Sequence, residues 1–198
     1  MITTQKKNLS DYFVSTYKGK KVYVLDPKAD MIDLDDIVHS LSLSCRFNGH
    51  CKHMYSIADH SMLVADLVSE EAKLYALLHD SAEAYLADIC RPLKQAINRI
   101  TNDLIKEIEH NLLHAINMKF CLPDIPKNIK TEVKLADNTA LWIEAHEMFD
   151  EKVLEIWEYG DLLNPIPDIK LTHYQTSEKC EEVFKNEILK YYKERMSL

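Results

Sequence analysis

The chain has 198 residues, of which 46% are hydrophobic and only three are glycine, and its formal net charge is −8. A chain of this length buries a stable core as one domain without disulfide or metal staples, and so little glycine excludes a fold rich in hairpins and bulges. The acidic balance, with no basic run, excludes a general binder of long nucleic acid, and no run of 18 apolar residues is present to span a membrane.

Residues 1–10 carry Gln5, Lys6 and Lys7 rather than an apolar run, so no signal peptide is expected. Tyr12, Val14 and Thr16, then Val22 and Val24, alternate around Lys18-Gly19-Lys20 and predict a short hairpin over residues 12–25, ended by Asp26-Pro27. The period then becomes helical. Ile32, Ile37 and Leu41, or Leu34, Val38 and Leu41, make an apolar face over residues 33–45. A loop over residues 46–55 follows, and Ser56 is placed to cap a helix running to about Val68. Ser69-Glu70-Glu71 starts another helix that reaches His79-Asp80 and continues as a short piece to Tyr85, after which Pro92 predicts a break.

Residues 101–118 repeat Leu104, Ile108, Leu112 and Ile116 every fourth position, a strongly amphipathic pattern. Pro123 and Pro126 form a connection to a long helix over residues 127–149, and residues 150–159 add a turn or two. Pro165 and Pro167 mark a loop, and Thr176 or Ser177 caps a last helix to about Met196. Trp142 and Trp157 are expected in the core. The predicted fold is all-α with a short N-terminal hairpin: one domain over 1–198, with 1–30 an N-terminal extension and 150–198 a C-terminal helical extension. The five cysteines are odd in number and form no CxxC pair, so free, buried thiols in a reducing cytoplasm are expected.

The dipeptide His79-Asp80 ends the apolar run Tyr75-Ala76-Leu77-Leu78 and so lies at the edge of a core, where buried polar groups need partners. A divalent cation accepts a neutral imidazole and a carboxylate together. His60 lies on the preceding helix and Asp137 in the middle of the long one, among Leu135, Ala136 and Ala140, where a carboxylate is costly unless paired or liganding. Two histidines and two aspartates make a ligand set that leaves room for water. Glu83, four residues after His79, and Asp88, eight after Asp80, are the candidate acid–base groups. Arg46, Arg91 and Lys94 can supply positive charge to a phosphate.

The series His60, His79-Asp80, Asp137 resembles the HD-domain phosphohydrolases. The run His79-Asp80-Ser81-Ala82-Glu83-Ala84-Tyr85-Leu86-Ala87-Asp88, followed by Arg91-Pro92-Leu93-Lys94, is similar to the bacterial 5'-deoxynucleotidase branch and its phage relatives. So is the pair Arg46-Phe47, although Phe47 stands where better-known members carry Trp. The resemblance spans about residues 31–147. It implies an HD-type helical bundle in which His60, His79, Asp80 and Asp137 hold one divalent metal (Co2+, Mn2+, Fe2+, Zn2+ or Mg2+). It further implies that Glu83 and Asp88 handle protons, that Arg46 grips the phosphate, and that the aromatic ring at 47 packs on the sugar.

The expected activity is release of phosphate from deoxynucleoside 5'-monophosphates, a small-molecule nucleotide substrate, by a cytoplasmic enzyme. His50, Arg91 and Lys94 complete the expected substrate contacts. Three alternatives stay open: a deoxynucleoside triphosphate phosphohydrolase, a two-metal phosphodiesterase or dinucleotide hydrolase using His110 and His114, and a nucleotide-binding regulator without turnover. Homo-oligomerisation is open as well.

Overall fold

The expected hairpin is present, the one β-sheet among the described residues. In the computed structural model β1 (Phe13–Ser15) and β2 (Lys21–Tyr23) pair antiparallel with Val14 opposite Val22. Gly19 takes the left-handed turn position at φ 76°, where a side chain would be strained. The structure describes residues 12–122, 125–156, 169–172 and 176–197. Among the described residues, the chain after the hairpin is helical or connecting: α1 (Leu34–Leu43), α2 (Ile57–Asp66), α3 (Lys73–Leu78), α4 (Glu83–Leu86), α5 (Arg91–Thr101), α6 (Leu104–Lys119), α7 (Lys127–Met148), α8 (Glu151–Leu154) and α9 (Ser177–Met196). The fold is all-α with a short N-terminal hairpin. No helix among the described residues is long and apolar enough to cross a membrane.

Side chains at the helix starts explain several boundaries. Asp33 accepts from the Asp35 amide ahead of α1, and Thr176 accepts from the Lys179 amide ahead of α9. Ser56 opens α2 with a reciprocal box: its hydroxyl accepts from the Asp59 amide at 3.0 Å while the Asp59 carboxylate accepts from the Ser56 amide at 2.9 Å. Losing such a cap costs about 1 kcal/mol.

Helix α2 is the centre of the bundle. It packs against α1, α3, α7 and α9, and eight of its ten residues are buried. A helix covered on all sides offers its polar residues no water, so His60, wholly buried on α2, must find its partners inside the protein. Helix α9 closes the far side, placing Cys180, Phe184 and Ile188 in the core against α1, α2 and α3.

Several expectations are corrected. Ile32 is buried but lies before α1, next to a short 3-10 turn at Ala29–Met31. A 3-10 turn, Glu70–Ala72, precedes α3. Pro92 opens a helix instead of breaking one: Arg91-Pro92-Leu93-Lys94 is the first turn of α5, where the missing proline N–H costs nothing. The apolar stripe of α6 is buried only toward its end, at Leu112, Ala115 and Ile116, while Leu104 is exposed. Trp142 is half-buried rather than in the core. All five cysteines are free, but only Cys180 is buried and Cys121 is exposed. Trp157, Pro123, Pro165 and Pro167 lie outside the described residues.

Candidate metal centre

Three helices bring the expected ligands to one point. His60 comes from α2, His79 caps the C-terminus of α3, and Asp137 lies midway along α7. One ligand atom from each lies within 4.8 Å of the others, which makes the group compatible with a divalent metal. The Asp80 Oδ2 atom closes the next side, 3.1 Å from His79 Nε2 and 3.5 Å from His60 Nε2, while Asp137 Oδ1 is 3.3 Å from His60 Nε2.

The orientation of the two imidazoles makes a cation fit. His60 Nδ1 is 2.6 Å from Glu144 Oε1, and His79 Nδ1 is 2.7 Å from the Ala76 carbonyl oxygen. Each Nδ1–H donation leaves its ring's Nε2 as a lone-pair atom. Both Nε2 atoms are buried and neither makes an aligned hydrogen bond. Lone pairs facing carboxylate oxygens at 3.1–3.5 Å repel unless a proton or a cation stands between them.

The charges reflect that pressure. Burial and Arg46 lower the pKa of His60, but Glu144 and Asp137 outweigh them and raise it to about 9, so without a metal a proton fills the role. Burial lifts the carboxyls of Asp80 and Asp137, yet His79 and His60 for the first, and His60 ahead of His79 for the second, hold both well below the usual carboxylate range.

A cleft of about 940 Å³ opens beside this group, lined among others by Arg46, Phe47, His50, Asp80, Glu83 and Asp88. Arg91, Lys94, Lys134, Asp137 and Phe149 continue its wall. Every expected substrate and acid–base residue therefore faces one space. Glu83 arrives by a different route from the one expected. His79 ends α3 and Glu83 starts α4, so no continuous helix turn joins them. Burial, then the charges of Asp80 and Asp88, push the Glu83 carboxyl up to about 9, leaving it protonated at neutral pH. Ala87 then takes φ 67°, ψ 162°, a conformation open almost only to glycine, and the chain swings so that Asp88 lines the cleft.

One side of the cleft is built on a ten-residue loop closed at its neck. Cys45 and Ser56 form an isolated antiparallel bridge, and the Arg46 amide donates to the Tyr55 carbonyl oxygen at 2.8 Å. Within the loop Phe47 and Asn48 both adopt left-handed backbone, at φ 57° and 53°, each costing about 1–2 kcal/mol. Phe47 meets Phe149 edge-on with ring centroids 4.9 Å apart. Lys52 ties the loop to the end of α7: its amide donates to the Met148 carbonyl and its ammonium to the Phe149 carbonyl, both at 3.0 Å.

Arg46 is buried, with Nη2 3.0 Å from Glu144 Oε2 and Nη1 3.8 Å from Asp80 Oδ2. The other cations of the cleft are held differently. Lys94 lies 3.2 Å from Glu109 and 3.8 Å from Glu83, Lys134 lies 2.7 Å from Asp137, and Arg91 is exposed. His110 and His114 are exposed on α6 and do not line the cleft.

Sequence reasoning misses Glu144, Phe149 and Lys134. Glu144 had a legible signal. It lies seven residues, two helical turns, after Asp137 between Ile143 and Ala145, so it shares the face that carries this candidate ligand.

No protein-family model matches the chain. It is 39% identical over 160 residues to YfdR of Escherichia coli strain K12, covering 78% of this chain and 85% of that protein. It is 34% identical over 140 residues to RCAP_rcc00048 of Rhodobacter capsulatus, covering 66% of this chain and 69% of that protein. Both relatives are described as uncharacterized proteins. The chain belongs to the family of these two proteins.

Proposed function

We propose that this member of the YfdR family is an HD-type, metal-dependent 5'-deoxynucleotidase that releases phosphate from deoxynucleoside 5'-monophosphates. The observation that carries the reading is the pair of anchored imidazoles, His60 and His79, whose Nε2 atoms face Asp80 and Asp137, two carboxylates that line a cation-bearing cleft of about 940 Å³. His60, His79, Asp80 and Asp137 would hold one divalent ion, with Co2+, Mn2+, Fe2+, Zn2+ and Mg2+ all acceptable to an N2O2 donor set. When bound, the ion supplies Lewis-acid polarisation of the phosphoryl group and of water.

The chain's own residues do the rest. Arg46 receives the phosphate, held in place by Glu144. Glu83 carries a proton at neutral pH and passes it to the 5'-oxygen as the ester bond breaks. Asp88 accepts hydrogen from the attacking water across the same wall. The Phe47–Phe149 corner packs the sugar and excludes water from it.

Monophosphates are favoured because Arg46 is buried and held in place by Glu144, whereas Lys94 is half-buried and Arg91 and Lys134 are exposed. A second reading, hydrolysis of deoxynucleoside triphosphates, draws on Arg91 farther along the cleft.

The test strips the protein with a chelator and restores single metals. Ribo- and deoxynucleoside mono-, di- and triphosphates are then assayed for nucleoside, phosphate, pyrophosphate and tripolyphosphate. Nucleoside and phosphate from deoxymonophosphates are expected. Tripolyphosphate would select the second reading, and no turnover with any metal would sink both.

A further inference from the structure

Glu144 is wholly buried on α7, and both of its carboxylate oxygens are in use. Oε1 lies 2.6 Å from His60 Nδ1, and Oε2 lies 3.0 Å from Arg46 Nη2. The Tyr55 hydroxyl, from the neck of the substrate loop, also hydrogen-bonds to it. A buried glutamate is costly unless donors surround it. Here the donors come from the two halves of the site: the central helix that carries a metal ligand, and the loop that carries the phosphate-facing arginine.

We infer that Glu144 is a positioning residue that couples the metal site to the phosphate clamp, fixing the His60 tautomer with one oxygen and the Arg46 guanidinium with the other. This inference rests on the proposed reading of that site. Glu144 is not in the candidate ligand group and does not line the cleft. Accepting from Nδ1–H leaves His60 Nε2 as a lone pair aimed at Asp137 and Asp80, the tautomer a metal needs. Accepting from Nη2 holds Arg46 against the cleft wall, so its position does not have to be fixed when phosphate binds. Asp137 and Glu144 share one helix face two turns apart, so α7 sets the spacing between metal and clamp.

A carboxylate alone can serve all of these donors. An amide has a single oxygen, and its NH2 group would confront either His60 Nδ1–H or the Arg46 guanidinium. Glu144→Gln keeps the volume, so it tests hydrogen-bond roles rather than packing. The first measurement is Co2+ affinity by competition with a chromogenic chelator, and the second is KM and kcat for a deoxymonophosphate at saturating Co2+. Glu144→Gln is expected to weaken Co2+ binding by about 10- to 100-fold and to raise KM, with kcat less affected. A residue that only holds the fold together would lower the melting temperature and leave both ratios unchanged. Co2+ affinity and KM within twofold of the parent would overturn the coupling.

A third measurement needs no variant, in case Glu144→Gln does not fold. In the Zn2+-loaded parent, 15N-histidine spectra should show Nδ1-protonated rings for both His60 and His79, the His60 signal being the one identified by its loss in His60→Gln. An Nε2-protonated His60 would overturn the inference. Metal binding with no nucleotide turnover would sink the proposed activity alone, because the Co2+ affinity ratio still reads Glu144. A parent that binds no metal would sink both.

Discussion

The floor and the rim of the cleft are built by opposite means. At the floor, His60 and Glu144 are completely buried on α2 and α7, and each imidazole is tied by its Nδ1. At the rim, α5 has no buried residue and packs chiefly on α6. The loop over residues 46–55 is held by its neck, by Lys52 and by Arg46, and it contains two residues in strained left-handed backbone. The floor is part of the core, so a change there disturbs folding, charge and chemistry together. The rim is attached at a few points, so a change there should be graded and should fall on substrate choice. Under the proposed function, reactivity and selectivity are thus separable along the depth of one cavity.

The strongest attempt to break this contrast is His79→Ala, which should reduce turnover to the assay background and lower metal stoichiometry below one per chain. A variant that keeps both would remove His79 from the floor. Next is Glu83→Gln, expected to cut kcat by about 10²- to 10⁴-fold while metal binding persists. Equal losses of metal and rate would make Glu83 a ligand rather than a proton carrier.

Third, the metal-free floor should titrate. The folded-state pKa values of Glu83 and His60 are both raised to about 9, from ordinary values of 4.5 and 6.5. Their stabilisation is complete below those ordinary values and is lost as pH climbs toward 9. Asp80, Asp137 and Glu144 are lowered, so their stabilisation is present above the ordinary carboxylate range and is lost on acidification. Melting temperatures of chelator-treated protein should therefore fall between pH 6 and pH 9, less steeply in Glu83→Gln. A flat or rising profile contradicts the charge assignment.

Fourth, Phe47→Ala should narrow the deoxy-to-ribo preference by up to about tenfold, with metal affinity unchanged. An unaltered ratio takes the ring out of sugar selection. Smallest is Lys52→Ala, which removes one partly exposed tether worth about 1 kcal/mol or less. It should raise KM a few-fold without touching kcat. A loss comparable to that of His79→Ala would erase the distinction between floor and rim.

The floor was largely legible in the sequence because its residues violate local expectation. His60, Asp80 and Asp137 interrupt apolar helical runs, and the Ser56 cap announces the helix that carries the first of them. Glu144 violates the same expectation, and its spacing of two turns from Asp137 gives its face, but not the His60 and Arg46 partners that only the packing of α2 and the loop supplies. The rim was less legible. Pro92 reads equally as the end of one element or the first turn of another, and α5 buries nothing that a periodicity could reveal. Phe149 reaches the cleft through the way the loop docks on the end of α7, a long-range arrangement with no local trace. The residues of the 46–55 loop could be named from the resemblance. Its left-handed turn at Phe47-Asn48 could not, since neither is glycine.

Helix α9 falls outside residues 31–147, which carry the proposed HD-type motif, and on sequence alone it reads as an appendage. In space it is the back wall of α2. Phe184 and Ile188 are fully buried, and Cys180 lies 3.4 Å from the hydroxyl of Ser56, the residue that opens the helix carrying His60. Trimming the protein to the recognisable stretch would expose these side chains at about 1.5–3 kcal/mol each, a substantial share of the margin on which a domain stands. A minimal version for engineering must therefore keep its tail. A helix outside a recognisable motif can still be the one that keeps the motif's side chains in register.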